Sequence, residues 1–357
     1  MSHDPGAVVP REPAAHPGAA PAAGASAART GGSRAGLAGL AITALSITAT
    51  IMTGLAGPSA MEPVLPGRPG QPPWALGLHL SPYAAVGLAA AALAAGTVGV
   101  GLCLHAARRG WTVSPRVILG AGLAAAAVIT LVPPFGSSDH LSYAAYGRMV
   151  ITGHDPYVTT PAMLARLGDP VAVAVQDWRH SPSVYGSLAS GGQALASWVG
   201  GDSARLTVFV LSLLGLAAFA GTGLLLHVLA RGSRERQLRA GLLWTLNPLL
   251  LQVLVAGAHV DSQAIVFGVA TIAIFALGMK NDPVGAHPLH RLGVAAAAGA
   301  VAGLAFAVKL SFALVAAGLV VAALLAWWPR PAAGGSAPDR RPRRRWHGGR
   351  WSSRLAG

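Results

Sequence analysis

The feature that most constrains this chain is a succession of apolar stretches, at about 35–57, 83–107, 117–133, 205–230, 240–257, 262–279, 292–308 and 310–328. A helix rising 1.5 Å per residue needs about 20 apolar residues to cross a hydrocarbon core of about 30 Å, and these runs are near that length. Lipid offers no partners to backbone N–H and C=O groups, so such runs satisfy their own hydrogen bonds as helices. The chain is therefore expected to be an all-α polytopic membrane protein of about eight helices. Residues 1–34 hold Ala, Pro, Gly and Arg with few large apolar side chains, too little to offset chain entropy, and are predicted to be a disordered cytoplasmic tail. Residues 35–328 form the expected transmembrane domain, and 329–357 a basic cytoplasmic tail.

A formal net charge of +14 raises the question of nucleic acid, but the basic residues sit in short clusters beside apolar runs, where topology signals belong. Nucleic acid is not an expected partner; membrane lipid is. Arg29 and Arg34 precede the first run, Arg108, Arg109 and Arg116 separate the second from the third, and Arg231, Arg234, Arg236 and Arg239 separate the fourth from the fifth. The positive-inside rule puts these loops and both termini in the cytoplasm of a multi-pass plasma-membrane protein. The remaining loops, about 58–82, 134–204, around His259 and Asp261, and around Lys309, then face outward and carry most of the aspartates. The single cysteine, Cys103, lies within an apolar run and reads as a small core residue.

The loop 134–204 is too long for mere linkage and carries its own helix signals. In "SSDHLSYAAYGRMVITG" a Ser or Asp starts a helix and Gly153 ends it, predicting a short helix along the membrane surface with Asp139 at its N-terminus. Thr160 before Pro161 and Asp169 before Pro170 repeat the capping device. Asp139 has two readings that can coexist, a helix cap and a general base that deprotonates a hydroxyl. Asp155, before Pro156, fits a turn. Tyr143, Tyr146, Tyr157, Trp178 and Tyr185 suit either an interfacial aromatic belt or sugar stacking.

Asn247 and Pro248 are expected to kink the fifth run and free backbone groups that need protein partners. His259 and Asp261 flank Val260 at the outer end; two such residues do not make a metal site, and no cluster with zinc-ligand spacing is present. No cofactor or metal is indicated. Lys309, set in "LAFAVKLSFALV", must either snorkel to the interface or meet an anion.

Taken in order, "DHLSYAAYGRMVITGHDPY", "SPSVYGSL", "LNPLLLQVLVAGAHVDSQAIVFG" and "VKLSFAL" resemble the signature series of the actinobacterial polyprenol-phosphomannose-dependent α-1,6-mannosyltransferases, GT-C-type enzymes that build the lipomannan backbone. The resemblance covers about 35–325, and since such relatives continue through further helices, the chain is expected to be short at its C-terminus. It implies a GT-C-like helix bundle with a structured extracytoplasmic loop, and an inverting transferase that takes mannose from polyprenyl phosphomannose to a glycan or glycolipid acceptor. Carried onto this chain, it makes Asp139 the base, and Tyr143, Arg148, Asp155, Tyr157, Arg179, Tyr185, His259, Asp261 and Lys309 substrate-binding residues, with Arg148, Arg179 and Lys309 as cations for the leaving phosphate. Two alternatives stand beside it: a non-catalytic homologue that binds polyprenyl phosphate, and a lipid or solute transporter.

Overall fold

The computed structural model describes residues 23–280 and 288–327; the expected basic tail and residues 1–22 of the N-terminal tail lie outside them. Among the described residues the structure is all-helical, without strands. Helix α1 spans Ala23–Ala56, α2 Pro82–Arg108 and α3 Pro115–Thr130; α4 Asp139–Ile151, α5 Pro161–Arg166, α6 Pro170–Val173 and α7 Ser187–Gly200 follow. Then come α8 Ala204–Leu229, α9 Arg234–Leu243, α10 Pro248–Leu250, a π turn at Leu251–Ala256, α11 Asp261–Lys280, α12 Pro288–Val308 and α13 Ala313–Trp327. Six segments are long and apolar enough to cross a membrane, among them Arg234–Ala256 taken as one span; Pro115–Thr130 and Leu310–Ala322 are apolar but shorter. This is a multi-pass membrane protein. The chain divides within α13 into a unit ending at Ala316 and a second beginning at Ala317, whose described part is the rest of that helix. Helix α1 starts at Ala23, ahead of the boundary expected at residue 35, in keeping with the helix propensity of its alanines.

Helix α1 packs along α2, and α11 along α12. Small and hydroxylated residues let helices approach closely in such bundles. The Ser46 hydroxyl, for example, donates to the Ala92 carbonyl at 2.6 Å across the α1–α2 contact. At one end of the helices the loops after α1 and α3 are tied to the start of α8 and the end of the π turn, and the loop before α7 to the end of α12. Gly136 N donates to the Met61 carbonyl at 2.7 Å, Phe135 N to Ala256 at 2.9 Å, Arg205 N to Pro66 at 2.9 Å and Gly186 N to Val308 at 3.0 Å.

The fifth apolar run is broken, as Asn247 and Pro248 require. Helix α9 stops at Leu243, and the Asn247 side chain serves the freed groups, its Oδ1 accepting from Leu249 N and its Nδ2 donating to the Leu243 carbonyl, both at 3.1 Å. The chain resumes as α10 and widens into the π turn.

The loop between α3 and α8 is a folded layer. Helix α4 does not lie on a surface with one face exposed: His140 to Gly147 and Met149 are buried, because α7 and α8 pack against it and the short α5 and α6 close over it. Gly153 ends the helix with φ +79°, a left-handed turn glycine adopts without strain. Thr160 Oγ1 accepts from Met163 N at 3.3 Å, and Asp169 Oδ1 from Val171 N and Ala172 N at 3.0 Å, so both expected caps form. Helix α7, built on "SLASGGQALASWVG", supplies the face against which α4 rests.

Arg148 joins these pieces. Its Nε donates to Asp169 Oδ2 at 2.6 Å, and its Nη2 pairs with Asp202 at the start of α8. Burial opposes the guanidinium charge, but the two carboxylates outweigh it and raise its pKa above the ordinary value. Arg148→Met leaves the buried Asp169 carboxylate with only its capping bonds, and thermal unfolding in detergent is expected to show a loss of about 3 kcal/mol. A loss below about 1 kcal/mol would mean that capping alone satisfies Asp169.

Candidate functional site

Asp139 occupies the first turn of α4, where Ser138 is the N-cap residue, so the side chain of Asp139 is turned to other partners. Trp178 Nε1 donates to its Oδ1 at 3.1 Å, and His259 Nδ1 stands 3.7 Å from its Oδ2. Trp178 has φ +58°, and Ala258, beside His259, has φ +50°. Non-glycine residues held in the left-handed region gather at sites where geometry is enforced by the surroundings. Both segments that meet Asp139 contain one.

Beside Asp139 lies a cavity of about 240 Å³ walled by Tyr143, Tyr146, Trp178, Val184 and Tyr185, with Ser142 and Ser181 as further polar groups. The Tyr143 and Tyr185 rings meet edge to face at 5.1 Å, and the Tyr185 hydroxyl donates to that of Tyr143 at 3.3 Å. Burial raises the pKa of both phenols, and for Tyr143 the nearby charges of Asp139 and Asp261 push the same way. Burial likewise lifts Tyr146 to about 12. These phenols are neutral donors and acceptors at physiological pH.

Behind the cavity, Lys309 Nζ donates to both Asp261 oxygens, at 2.7 and 3.0 Å. The lysine thus meets an anion supplied by the protein, and the pair's field reaches Tyr185. His140 adjoins Asp139 in sequence but is fully buried; burial holds its imidazole down at about 3, with His259 adding to the shift.

The structure therefore assembles Asp139, Tyr143, Tyr185, His259, Asp261 and Lys309. It places four other sequence candidates elsewhere. Arg148 is bound into the Asp169–Asp202 cluster away from this cavity. Asp155 caps its own turn, accepting from Tyr157 N at 2.8 Å, and the Tyr157 hydroxyl bonds Ser190 Oγ at 3.0 Å. Arg179 follows Trp178 with an exposed side chain, while its carbonyl accepts from Ala162 N at 2.8 Å. Sequence reasoning named Trp178 for sugar stacking but not as a partner of Asp139, and it passed over His140 and, in the neighbouring loop, Glu62. Among the described residues no group of three His, Cys, Asp or Glu side chains is arranged to hold a metal ion.

Glu62, in the loop after α1, is 2% exposed, and burial raises its pKa from 4.5 to about 8. The folded state thus holds this proton more tightly than the unfolded chain. Its contribution to stability is complete below about pH 4.5 and is lost as pH rises towards 8. The thermal midpoint is expected to fall between about pH 5 and 8, and Glu62→Gln to flatten that slope. An unchanged slope in the variant would assign the titration to another group.

A profile of the family described as "Alpha-(1->6)-mannopyranosyltransferase, N-terminal domain" matches residues 34–326. Alpha-(1->6)-mannopyranosyltransferase B of Corynebacterium glutamicum is 30% identical over 156 residues, covering 43% of this chain and 25% of the relative. An alpha-(1->6)-mannopyranosyltransferase of Mycobacterium tuberculosis is 30% identical over 179 residues, 47% of this chain and 29% of the relative. Alpha-(1->6)-mannopyranosyltransferase A of C. glutamicum is 26% identical over 175 residues, 49% and 35% respectively. The aligned regions span about a quarter to a third of the length of these relatives. No solved structure matches at the same stringency. With its helix bundle and the profile match across most of its length, the chain belongs to the alpha-(1->6)-mannopyranosyltransferase family, whose N-terminal domain it carries.

Proposed function

We propose that this protein transfers a mannosyl residue from polyprenyl phosphomannose to a hydroxyl of an α-1,6-mannan or lipomannan-type acceptor, with inversion, at the extracytoplasmic face of the plasma membrane. The observation that carries the reading is the Asp139 carboxylate, held by Trp178 and approached by His259 at the wall of an aromatic cavity, at one end of an apolar bundle. The donor's prenyl chain lies along the helices and its sugar phosphate emerges at that end. The arginine-rich loops at the other end support the orientation, since basic loops stay cytoplasmic.

In this reading Asp139 accepts the proton of the acceptor hydroxyl as the oxygen attacks the anomeric carbon. The bond from that carbon to the phosphate oxygen breaks, and the phosphate leaves with the electron pair. A single displacement turns a β-linked donor into an α product. Tyr143, Tyr185 and Trp178 offer ring faces and polar edges to a sugar. His259 orients Asp139, and Lys309, held by Asp261, is the cation offered to the departing phosphate. Exposed Arg179 supplies further positive charge near the rim, whereas Asp155, Tyr157 and Arg148 shape the layer around the site.

The test is transfer of radiolabelled mannose from polyprenyl phosphomannose to a short α-1,6-mannoside in membranes that carry the full chain. Labelled product above that of membranes lacking the protein supports the reading. No product, with the protein shown to be inserted, replaces it with a non-catalytic homologue.

A further inference from the structure

The loop after α1 carries an acid that the transfer chemistry leaves unused. Glu62 is almost wholly buried, and its Oε2 has no hydrogen-bond partner among the described residues. Its place is fixed on both sides. Ser59 N donates to the Glu62 carbonyl at 3.0 Å and Glu62 N to the Ser59 carbonyl at 3.2 Å, while Met61 is tied to Gly136 just ahead of α4. A buried polar atom left unpaired destabilises a fold, so its presence in a native protein asks for an explanation.

The surroundings supply one. Glu62 stands between a cavity of about 170 Å³ that Arg205 helps to line and one of about 300 Å³ whose other polar walls are Ser59, Ser137, Ser138, Gln176 and Asp177. Ser137, Ser138, Gln176 and Asp177 line the larger cavity, and their chain neighbours Asp139 and Trp178 line the aromatic one. Asp139 N donates to Ser137 Oγ at 3.1 Å, Ser138 Oγ to Asp177 Oδ2 at 2.6 Å, and Trp178 binds Asp139 itself. The larger cavity and the aromatic one thus flank the same two short segments, with Asp139 and Trp178 on the aromatic side. One is aromatic; the other mixes hydroxyl, amide and carboxyl groups with Pro58, Met61, Pro63 and Val64, and no Lys, Arg or His is among its lining residues.

We infer that the second cavity is a subsite for a neutral, hydroxyl-rich ligand, the sugar at the reacting end of the acceptor, with Glu62 hydrogen-bonding one of its hydroxyls. The inference rests on the proposed transfer reaction, because that reaction makes such a ligand necessary next to Asp139. The absence of lining cations argues against the donor's phosphate, which needs positive charge. The volume lies at the low end for small-molecule sites and suits a single sugar unit. At neutral pH the Glu62 carboxyl, lifted to about 8 by burial, keeps its proton and offers one donor and one acceptor, the complement of a hydroxyl that both gives and takes.

The experiment measures binding of α-1,6-mannobiose by calorimetry to the full chain in lipid nanodiscs, unmodified and as Glu62→Gln, Glu62→Leu and Glu62→Ala. Loss of one hydrogen bond to the ligand is expected to raise Kd about tenfold in the Leu and Ala variants, and less than threefold in the Gln variant, whose amide still donates and accepts. The Ala variant leaves the cavity open, so a rise there is not due to filling it. The KM for polyprenyl phosphomannose is expected to stay within twofold, and the thermal midpoint of each variant confirms folding. Equal affinity across all four proteins, or no mannobiose binding by the unmodified chain, overturns the inference. Mannosyl transfer measured in parallel keeps the two readings apart. Transfer with Glu62-independent affinity defeats the subsite alone, and Glu62-dependent binding without transfer defeats the reaction and keeps the subsite.

Discussion

Asp139→Asn is expected to lower mannosyl transfer by about a thousandfold while leaving the chain folded and inserted. The amide has the size of the carboxylate and still accepts the bond from Trp178 Nε1, but it cannot take up a proton, and general bases contribute about 10²–10⁴ in rate. The start of helix α4 keeps an anchor when the charge is lost, because the Asp139 backbone N–H is served by Ser137 Oγ at 3.1 Å. Label transfer gives the rate, and a thermal midpoint gives the folding control. Activity retained within tenfold at an unchanged midpoint would remove Asp139 from the role of base.

The largest effect on stability is expected from Gly147→Ala. A Cβ at this position would lie 2.0 Å from the Gln193 carbonyl oxygen and 2.4 Å from its carbon, both backbone atoms of α7. A flexible side chain could turn aside, but a packed helix backbone cannot, so α4 and α7 must part. Their separation loosens the cluster in which Leu141, Tyr143, Ala144 and Met149 meet Ala189, Ala196 and Val208. Overpacking of this kind costs about 3 kcal/mol, a large part of the stability of an ordinary domain. A lower detergent melting midpoint and poor accumulation in membranes are the expected readouts. Since Asp139 and Tyr143 ride on α4, transfer activity should fall with them. A midpoint within about 2 °C of the unmodified protein would show that the two helices have room to spare.

Much of the bundle was legible because hydrophobic length is a local property. The runs near 83–107 and 205–230 reappear as α2 and α8 within a residue or so. Local caps were equally readable at Thr160 and Asp169, where the side chain and the amides it serves are at most three residues apart. Helix α7 was not foreseen, since its glycines and serines suggest a loop, and only the close approach to α4 explains why small residues are wanted there. At the site, a cation in apolar surroundings singled out Lys309, a helix start singled out Asp139, and the Lys309–Asp261 pair joins residues 48 positions apart. The resemblance drew Arg148 towards phosphate binding, and the sequence could not show otherwise, because its partners lie 21 and 54 positions away and only folding brings them near. Glu62 was silent for a related reason: one acid in a loop of prolines and glycines announces nothing until burial isolates it.

The widened turn at Leu251–Ala256 has a consequence of its own. A π turn takes up about one residue more than an α turn, and each residue of a helix advances the chain by about 100° around its axis. The direction in which the chain leaves towards His259 and Asp261 therefore depends on how many residues the stretch contains, together with the left-handed step at Ala258. Removing a single residue there would restore a regular helix and tighten its hydrogen bonds, yet swing His259 away from Asp139 and Asp261 away from Lys309. The turn acts as a vernier, a small mismatch in count that helps to aim His259 at Asp139 and Asp261 at Lys309. Its side chains can vary within the limits of packing, but its length is fixed by the angle it must deliver.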